Sequence, residues 1–332
     1  MKCYFCLTEP DMQNSIYLDM LYVSLKTARQ NTTLDLYVLY DGTETGRCYQ
    51  ILKEFNVHII KHEFSHKQYL EKTYPQAYIK QTYGHEISYQ KIAGTFMRFD
   101  VPFIEQEDEY VFYSDIDVMF LKDFSHSDFS ATPYVAASAE SCKDLENMDY
   151  FNAGILYLNV QNMRKISEQV FAELKKGSRN TTNIFDQGYL NQFCFDKFTK
   201  MPLEFNWKPY WGYNENAYII HMHAMKPDGN FENSGFGMSK EALINSLDGH
   251  FRDIDGYIYY LMLYYQILGK DGKKWLSEFI SFLYASGIDS YNKKSTELEK
   301  KYINIKKKLK NLKKIVFLLV ALLVFGGIFY VK

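Results

Sequence analysis

The sequence predicts an α/β fold: a mixed, mostly parallel sheet flanked by helices, then a helical C-terminal extension and a transmembrane helix. Three observations carry this. Short apolar runs alternate with helix-patterned segments through residues 1–228, as parallel strands joined by helical crossovers require. One run, Tyr110-Val111-Phe112-Tyr113, ends in Ser114-Asp115-Ile116-Asp117, which places two carboxylates at the carboxyl end of a buried strand. Open α/β sheets bind ligands there. Residues 315–331, IVFLLVALLVFGGIFYV, carry no charge.

Taken in order, residues 2–8 read as a first strand, and Asn14 or Ser15 caps a helix reaching about Gln30. Leu34–Tyr40 is a second strand closed by Asp41-Gly42, a helix follows to Phe55, and Val57–Ile60 is a third strand. Residues 62–87, rich in Tyr, His and Gln with weak periodicity, read as a long loop that could act as a lid. Ser88–Glu105 is helical up to the Pro102 region and leads into the strand ending at Asp115. Further strands are expected at Tyr134–Ala139, Ile155–Val160 and Tyr218–His221, with helices at Met163–Lys176 and from Asp186. Beyond Asp228, helices at Tyr257–Ile267 and Lys274–Ala285 form the extension (229–290). A basic stem (291–314) joins it to the anchor (315–331).

The 332 residues fit one large α/β domain with an appendage. Five scattered cysteines, an odd number, argue for a reducing compartment. Cys3 and Cys6 form a C-x-x-C, but on a strand i and i+3 face opposite sides and no second ligand pair follows, so both read as core residues. Net charge is −2, yet residues 291–332 hold eleven Lys against two Glu, a balance of +9 that leaves −11 on the body. An acidic body argues against a nucleic-acid binder.

The apolar C-terminal run is at the short limit for a spanning helix. It is apolar on every face, unlike an amphipathic core helix. Lys300, Lys301, Lys306, Lys307, Lys308, Lys310, Lys313 and Lys314 precede it. Positive flanks stay on the cytoplasmic side, so a single-pass C-terminal anchor with a cytosolic body is expected, and the lysines should attract anionic membrane lipids. Leu298, Tyr302, Ile305, Leu309 and Leu312 recur at alternating spacings of four and three. That seam over 298–312 suits self-association as a short coiled coil or an amphipathic helix on the membrane surface. Met1-Lys2 leads straight into a strand with no signal peptide, and the Asn-x-Thr matches at Asn31 and Asn180 then read as chance.

The carboxylates point to chemistry. At i, i+2 on extended backbone they can face one ion, and two hard oxygen donors suit Mg²⁺ or Mn²⁺ carrying a phosphate. Arg98, just before the Asp strand, could pair with phosphate. Asn152-Ala153-Gly154 reads as a turn before a strand, and Asp186-Gln187 opens a helix, where Asp could serve as an N-cap. His221, after an apolar strand, offers a third ligand, with His223 as its rival.

The order of these pieces resembles glycosyltransferase family 8 and its relatives of the GT-A (Rossmann-like) fold. The resemblance rests on the first strand and helix, Leu36-Tyr37-Val38-Leu39-Tyr40-Asp41-Gly42, Arg98, Ser114-Asp115-Ile116-Asp117, Asn152-Ala153-Gly154, Asp186-Gln187 and His221-x-His-x-x-Lys-Pro, and covers residues 1–228. It implies that Asp115, Asp117 and His221 hold Mn²⁺ (or Mg²⁺) against the diphosphate of a nucleotide sugar, commonly UDP-linked. Lys226 would then contact phosphate and Thr8 and Asp11 the base. Asp186 and Gln187 would lie at the sugar face opposite the leaving group, and Asn152, Ala153 and Gly154 on the sugar or acceptor side. The implied reaction is hexose transfer, with retention, to a glycan or lipid-linked acceptor. Three departures stand out: Ala224 where the family has Gly, a His221-to-Lys226 spacing one residue short, and Gly188 where a third acidic residue is common. Two other readings of the residues stay open: an aspartate-nucleophile phosphatase using Asp115, and a tail-anchored nucleotide-sugar-binding protein without turnover.

Overall fold

A computed structural model of the 332-residue chain describes residues 1–9, 15–140, 142–182, 185–223, 226–227, 254–273, 276–277 and 302. The chain divides into two compact units, Met1–Trp275 and Leu276–Lys332. Only Leu276, Ser277 and Tyr302 of the second unit are described, and the sheet with its flanking helices belongs to the first. Apart from Tyr302, the expected basic stem and its apolar seam lie outside the described residues, as do the anchor at 315–331 and Asp11. No helix among the described residues is long and apolar enough to cross a membrane.

The chain opens with β1 (Lys2–Thr8), α1 (Ser15–Asn31), β2 (Asp35–Asp41), α2 (Arg47–Glu54) and β3 (His58–Lys61). Then come α3 (Leu70–Thr73), α4 (Gln76–Tyr83), α5 (Tyr89–Phe96), α6 (Val101–Ile104), β4 (Tyr110–Ser114) and β5 (Val118–Phe120). They are followed by β6 (Val135–Ala139), β7 (Phe151–Asn159), α7 (Val160–Lys176), α8 (Phe185–Cys194), β8 (Thr199–Lys200), β9 (Ile219–His221) and a helix over Ile254–Leu268. The main sheet has the order β3-β2-β1-β4-β7-β6-β8. Every pairing in it is parallel except the two made by β7. The mixed, mostly parallel sheet expected from the alternation of elements is present. The chain leaves β1 for β2 on one side and reaches β4 on the other, so a topological switch point lies between β1 and β4.

Strand alternation sorts side chains into two cores. Cys3, Phe5 and Leu7 of β1 with Phe112 of β4 pack beneath α1 (Leu21, Leu25, Ala28) and α2 (Ile51, Leu52). Tyr4, Val111 and Tyr113 face the other way, against α5, α7 and α8 (Phe96, Val170, Leu190). Cys3 and Cys6 accordingly belong to opposite faces, and all five cysteines are free.

Two segments differ from expectation. Residues 62–87 are not a long loop: they hold α3 and α4, with Leu70, Tyr74 and Ile79 fully buried. At about 1.5–3 kcal/mol for each buried aliphatic side chain, Leu70 and Ile79 help hold the segment on the core. Asn152-Ala153-Gly154 is not a turn but lies within β7, all three residues buried. Pairing with β4 and β6 overrides their turn preference.

The helix over Ile254–Leu268 lies within the first unit. Lys26 donates to the Ile267 carbonyl at 2.8 Å, and Tyr260 Oη donates to the Asn214 carbonyl at 3.1 Å while accepting from its N–H at 3.0 Å.

Candidate metal and donor site

β4 ends at Ser114 because Asp115 leaves the ladder while its N–H still donates to the Gly154 carbonyl at 2.7 Å. The chain turns through Ile116 and Asp117 into β5, which pairs with β9 in a small antiparallel sheet with Val118 opposite His221. Met222 N–H donates to the Asp117 carbonyl at 2.8 Å, and His221 N–H to the Trp207 carbonyl at 2.8 Å. The small sheet is tied to α1, where Thr27 Oγ1 accepts from Phe120 N–H at 3.1 Å. Asp117 and His221 thus meet as a consequence of strand pairing.

Asp115, Asp117 and His221 each present one ligand atom, and these atoms all lie within 4.8 Å of one another. His221 Nε2 is 3.3 Å from Asp117 Oδ1. Asp117 and His221 are buried, whereas Asp115 is partly exposed. Two carboxylates and an imidazole form a donor set suited to Mn²⁺ or Mg²⁺. Gly154 lets the His221 ring and Asp115 approach β7 closely: a Cβ there would fall 2.4 Å from His221 Cε1 and 3.0 Å from Asp115 Oδ2. The donor set and its spacing therefore fit a divalent cation.

The charge balance agrees. Burial works against ionised Asp117, but Lys226 and His221 outweigh it and hold the carboxyl well below its usual range. Lys226 pairs directly with Asp117, and although burial opposes its charge, that pairing raises its pKa. Burial raises Asp115, with Arg98 opposing. Burial lowers His221, favouring the neutral ring that a metal needs.

Arg98, expected at a phosphate, sits buried on a 3₁₀ turn, Met97–Phe99, between α5 and α6. Its donors reach Asp115 Oδ1 (3.1 Å), Asp186 Oδ2 (2.9 Å), the Thr95 carbonyl (3.0 Å) and the Ala153 carbonyl. Its guanidinium carbon lies 4.6 Å from the Tyr113 ring centroid. Tyr113 Oη also donates to Asp115 Oδ1 at 2.9 Å. Arg98 therefore joins the two carboxylates, and Asp186, in the first turn of α8, pairs with it. Gln187 Oε1 accepts from Ala153 N–H at 2.8 Å, fixing that side chain beside β7. Gly188 replaces the expected acidic residue where a Cβ would lie 2.2 Å from Asn180 Oδ1, so this backbone leaves a side chain no room.

Thr8 ends β1, buried against Gly94 of α5, whose added Cβ would stand 3.1 Å from Thr8 Oγ1. Asp41, ending β2, accepts from Gln90 at 3.0 Å. Thr8, expected near the base, thus ends a strand that borders the switch point. His223 is not in the cluster: Nε2 meets Glu140 Oε1 at 2.9 Å and Nδ1 meets Tyr210 Oη at 2.9 Å.

Several residues here carry no sequence signal. Glu140 accepts from Asn152 Nδ2 at 2.7 Å as well as from His223. Burial opposes its charge, but His223, Lys208 and Asn152 together lower its pKa to about 2. Lys208 is fully buried and donates to the Ala139 carbonyl at 2.8 Å. Burial pushes it down to about 7, with Glu140 opposing. Asn206 contacts both His221 and Asn152, each at 2.9 Å.

No protein-family model matches the chain, and no curated protein matches it. Among solved structures, it is similar to apo GlyE, a glycosyltransferase of Streptococcus pneumoniae TIGR4, with a TM-score of 0.51 and 18% identity over 84% of this chain and 63% of GlyE. It also aligns with the galactosyltransferase LgtC, crystallised with donor and acceptor sugar analogues, with a TM-score of 0.48 and 16% identity over 84% of this chain and 100% of LgtC. The chain thus spans less than two thirds of GlyE's length. The likeness to GlyE establishes the fold, that of the GT-A glycosyltransferases.

Proposed function

We propose that the protein is a metal-dependent glycosyltransferase that moves a hexose from a nucleotide sugar, UDP-linked, to a glycan or lipid-linked acceptor with retention of anomeric configuration. The observation that carries this reading is the convergence of Asp115, Asp117 and His221 at the carboxyl end of β4, beside the sheet's switch point. The GT-A fold supports it over the aspartate-nucleophile phosphatase.

A bound Mn²⁺ or Mg²⁺ would supply Lewis-acid neutralisation of the diphosphate leaving group. Lys226 is the cation best placed to add to it: once its partner Asp117 serves as a ligand, the ammonium can turn to a phosphate oxygen. Arg98 pairs with Asp115 and Asp186 and orients both carboxylates. Gln187, held against β7 by Ala153 N–H, and Asp186 border the sugar face, with Asn152, Ala153 and Gly154 forming its floor. Thr8 and Asp11 would hold the base.

The apolar run at 315–331 would anchor the cytosolic body to a membrane, and the 291–314 lysines would bind anionic headgroups. The anchor would raise the local concentration of a lipid-linked acceptor, and the 298–312 seam would allow self-association.

The test is to incubate the full chain with Mn²⁺ and, in turn, UDP-glucose, UDP-galactose and their N-acetyl forms, measuring UDP release. Metal-dependent release from one donor, lost in Asp117→Ala, is the expected result. Metal-dependent UDP binding with no turnover of any donor would leave a nucleotide-sugar-binding protein instead.

A further inference from the structure

The hydrogen bonds behind His221 run in one direction only. Gly154 N–H, which can only donate, is 3.0 Å from Asn152 Oδ1. The Asn152 amide must therefore turn its oxygen to Gly154 and its Nδ2 to the Glu140 carboxylate, which can only accept, at 2.7 Å. Asn206 also meets Asn152 Oδ1, at 2.9 Å. It can do so only as a donor through Nδ2, so its own Oδ1 faces His221 Nδ1 at 2.9 Å. An amide oxygen accepts, so Nδ1 must carry the proton. The lone pair of Nε2 is then left on the side of Asp115 and Asp117, 3.3 Å from Asp117 Oδ1. In the neutral ring that lone pair is the one free to take a metal ion.

We propose that Asn206 is a positioning residue for the metal ligand: with Asn152, it fixes the His221 tautomer and ring so that Nε2 faces the two carboxylates before any ion arrives. Gly154 N–H and Glu140 at the far end set the direction of the relay. The same Gly154 lets the His221 ring pack against β7. Asn206 is fully buried on the 3₁₀ turn Leu203–Asn206 and Asn152 is buried in β7. Neither amide therefore has water as an alternative partner to relax the constraint. Partners behind metal-bound histidines typically change metal affinity about 10–100-fold.

This inference rests on the cluster being a metal site, and its test separates the two ideas. In full-length, metal-free protein labelled with ¹⁵N-histidine, long-range ¹H–¹⁵N correlation spectra report the His221 tautomer directly. Nδ1–H is expected in the wild type, and a mixed or Nε2–H ring in Asn206→Leu. Mn²⁺ titration followed by the paramagnetic resonance of the free ion should then give about 10–100-fold weaker binding in Asn206→Leu. Asn206→Asp keeps an acceptor for Nδ1–H and should recover most of that loss. It also covers the case in which the leucine variant does not fold. An Nε2–H ring in the wild type, or equal Mn²⁺ affinity in all three proteins, would overturn the proposal. A wild type that has the Nδ1–H ring but binds no Mn²⁺ would overturn the metal reading and leave the relay as a structural device only.

Discussion

Asp117 Oδ1 lies 3.3 Å from His221 Nε2 because β5 pairs with β9, placing His221 opposite the neighbour of Asp117 in the small sheet. The contact is a property of backbone register, so the ligand geometry should survive changes to the side chains themselves. Asp117→Asn is expected to keep the fold and melting behaviour while lowering Mn²⁺ affinity by roughly 100-fold or more, given that partners one step further out already change it about 10–100-fold. Isothermal calorimetry beside circular dichroism checks both halves.

Gly154 lets the His221 ring and Asp115 come close to β7. A methyl group there would stand 2.4 Å from His221 Cε1. Gly154→Ala should cost about 1–3 kcal/mol through overpacking and remove Mn²⁺ binding while leaving an α/β circular dichroism spectrum. Unchanged Mn²⁺ affinity would mean that the ion does not sit there.

Arg98 joins Asp115 and Asp186 from a buried position. Arg98→Met leaves those carboxylates without their cation, and breaking a buried pair from one side costs about 3–5 kcal/mol. Adding Asp186→Asn should restore part of that loss, because it removes one of the stranded charges. Urea unfolding of the single and double variants measures this coupling.

Lys208 predicts a pH dependence. Burial pushes its pKa down to about 7 in the folded protein from an ordinary 10.5. Between those values the unfolded chain holds a proton that the folded chain has lost, so this group adds stability as pH rises. Below pH 7 both states are protonated and the folded state bears the full burial cost. Relative to Lys208→Met, the wild type should therefore gain stability from pH 7 to pH 9. Denaturation midpoints of the two proteins that move in parallel would contradict this.

The apolar C-terminal run and the lysines before it predict two different modes of membrane attachment. A spanning segment should hold the full chain on phosphatidylcholine vesicles through a high-salt wash. Attachment by the lysines alone would need anionic lipid and be lost as salt screens it. Vesicle flotation with and without salt distinguishes them.

Much of the sheet was legible because apolar alternation and run length are local properties. β1, β2 and β9 fall within a residue or two of the expected strands. The carboxylates were legible for the same reason, since they close an apolar run. What escaped was set by partners distant in the chain. Leu70, Tyr74 and Ile79 made a core segment of a stretch that reads as loop, because their burial comes from α5, α7 and α8. Asn-Ala-Gly reads as a turn, but the ladders on both sides of β7 make it a strand. Glu140, Asn206 and Lys208 lie in unremarkable surroundings in the sequence, and only the folded chain brings them behind His221 and His223.

The central claim is that Asp115, Asp117 and His221 hold a divalent cation against a nucleotide diphosphate. Crystals grown with Mn²⁺ and UDP, measured at the manganese absorption edge, test it most directly. The expected result is one anomalous peak in the space beside Gly154, coordinated by those three side chains and by diphosphate oxygens. An anomalous peak at Glu140 and His223 instead, or UDP bound with no manganese beside Asp117, would contradict it.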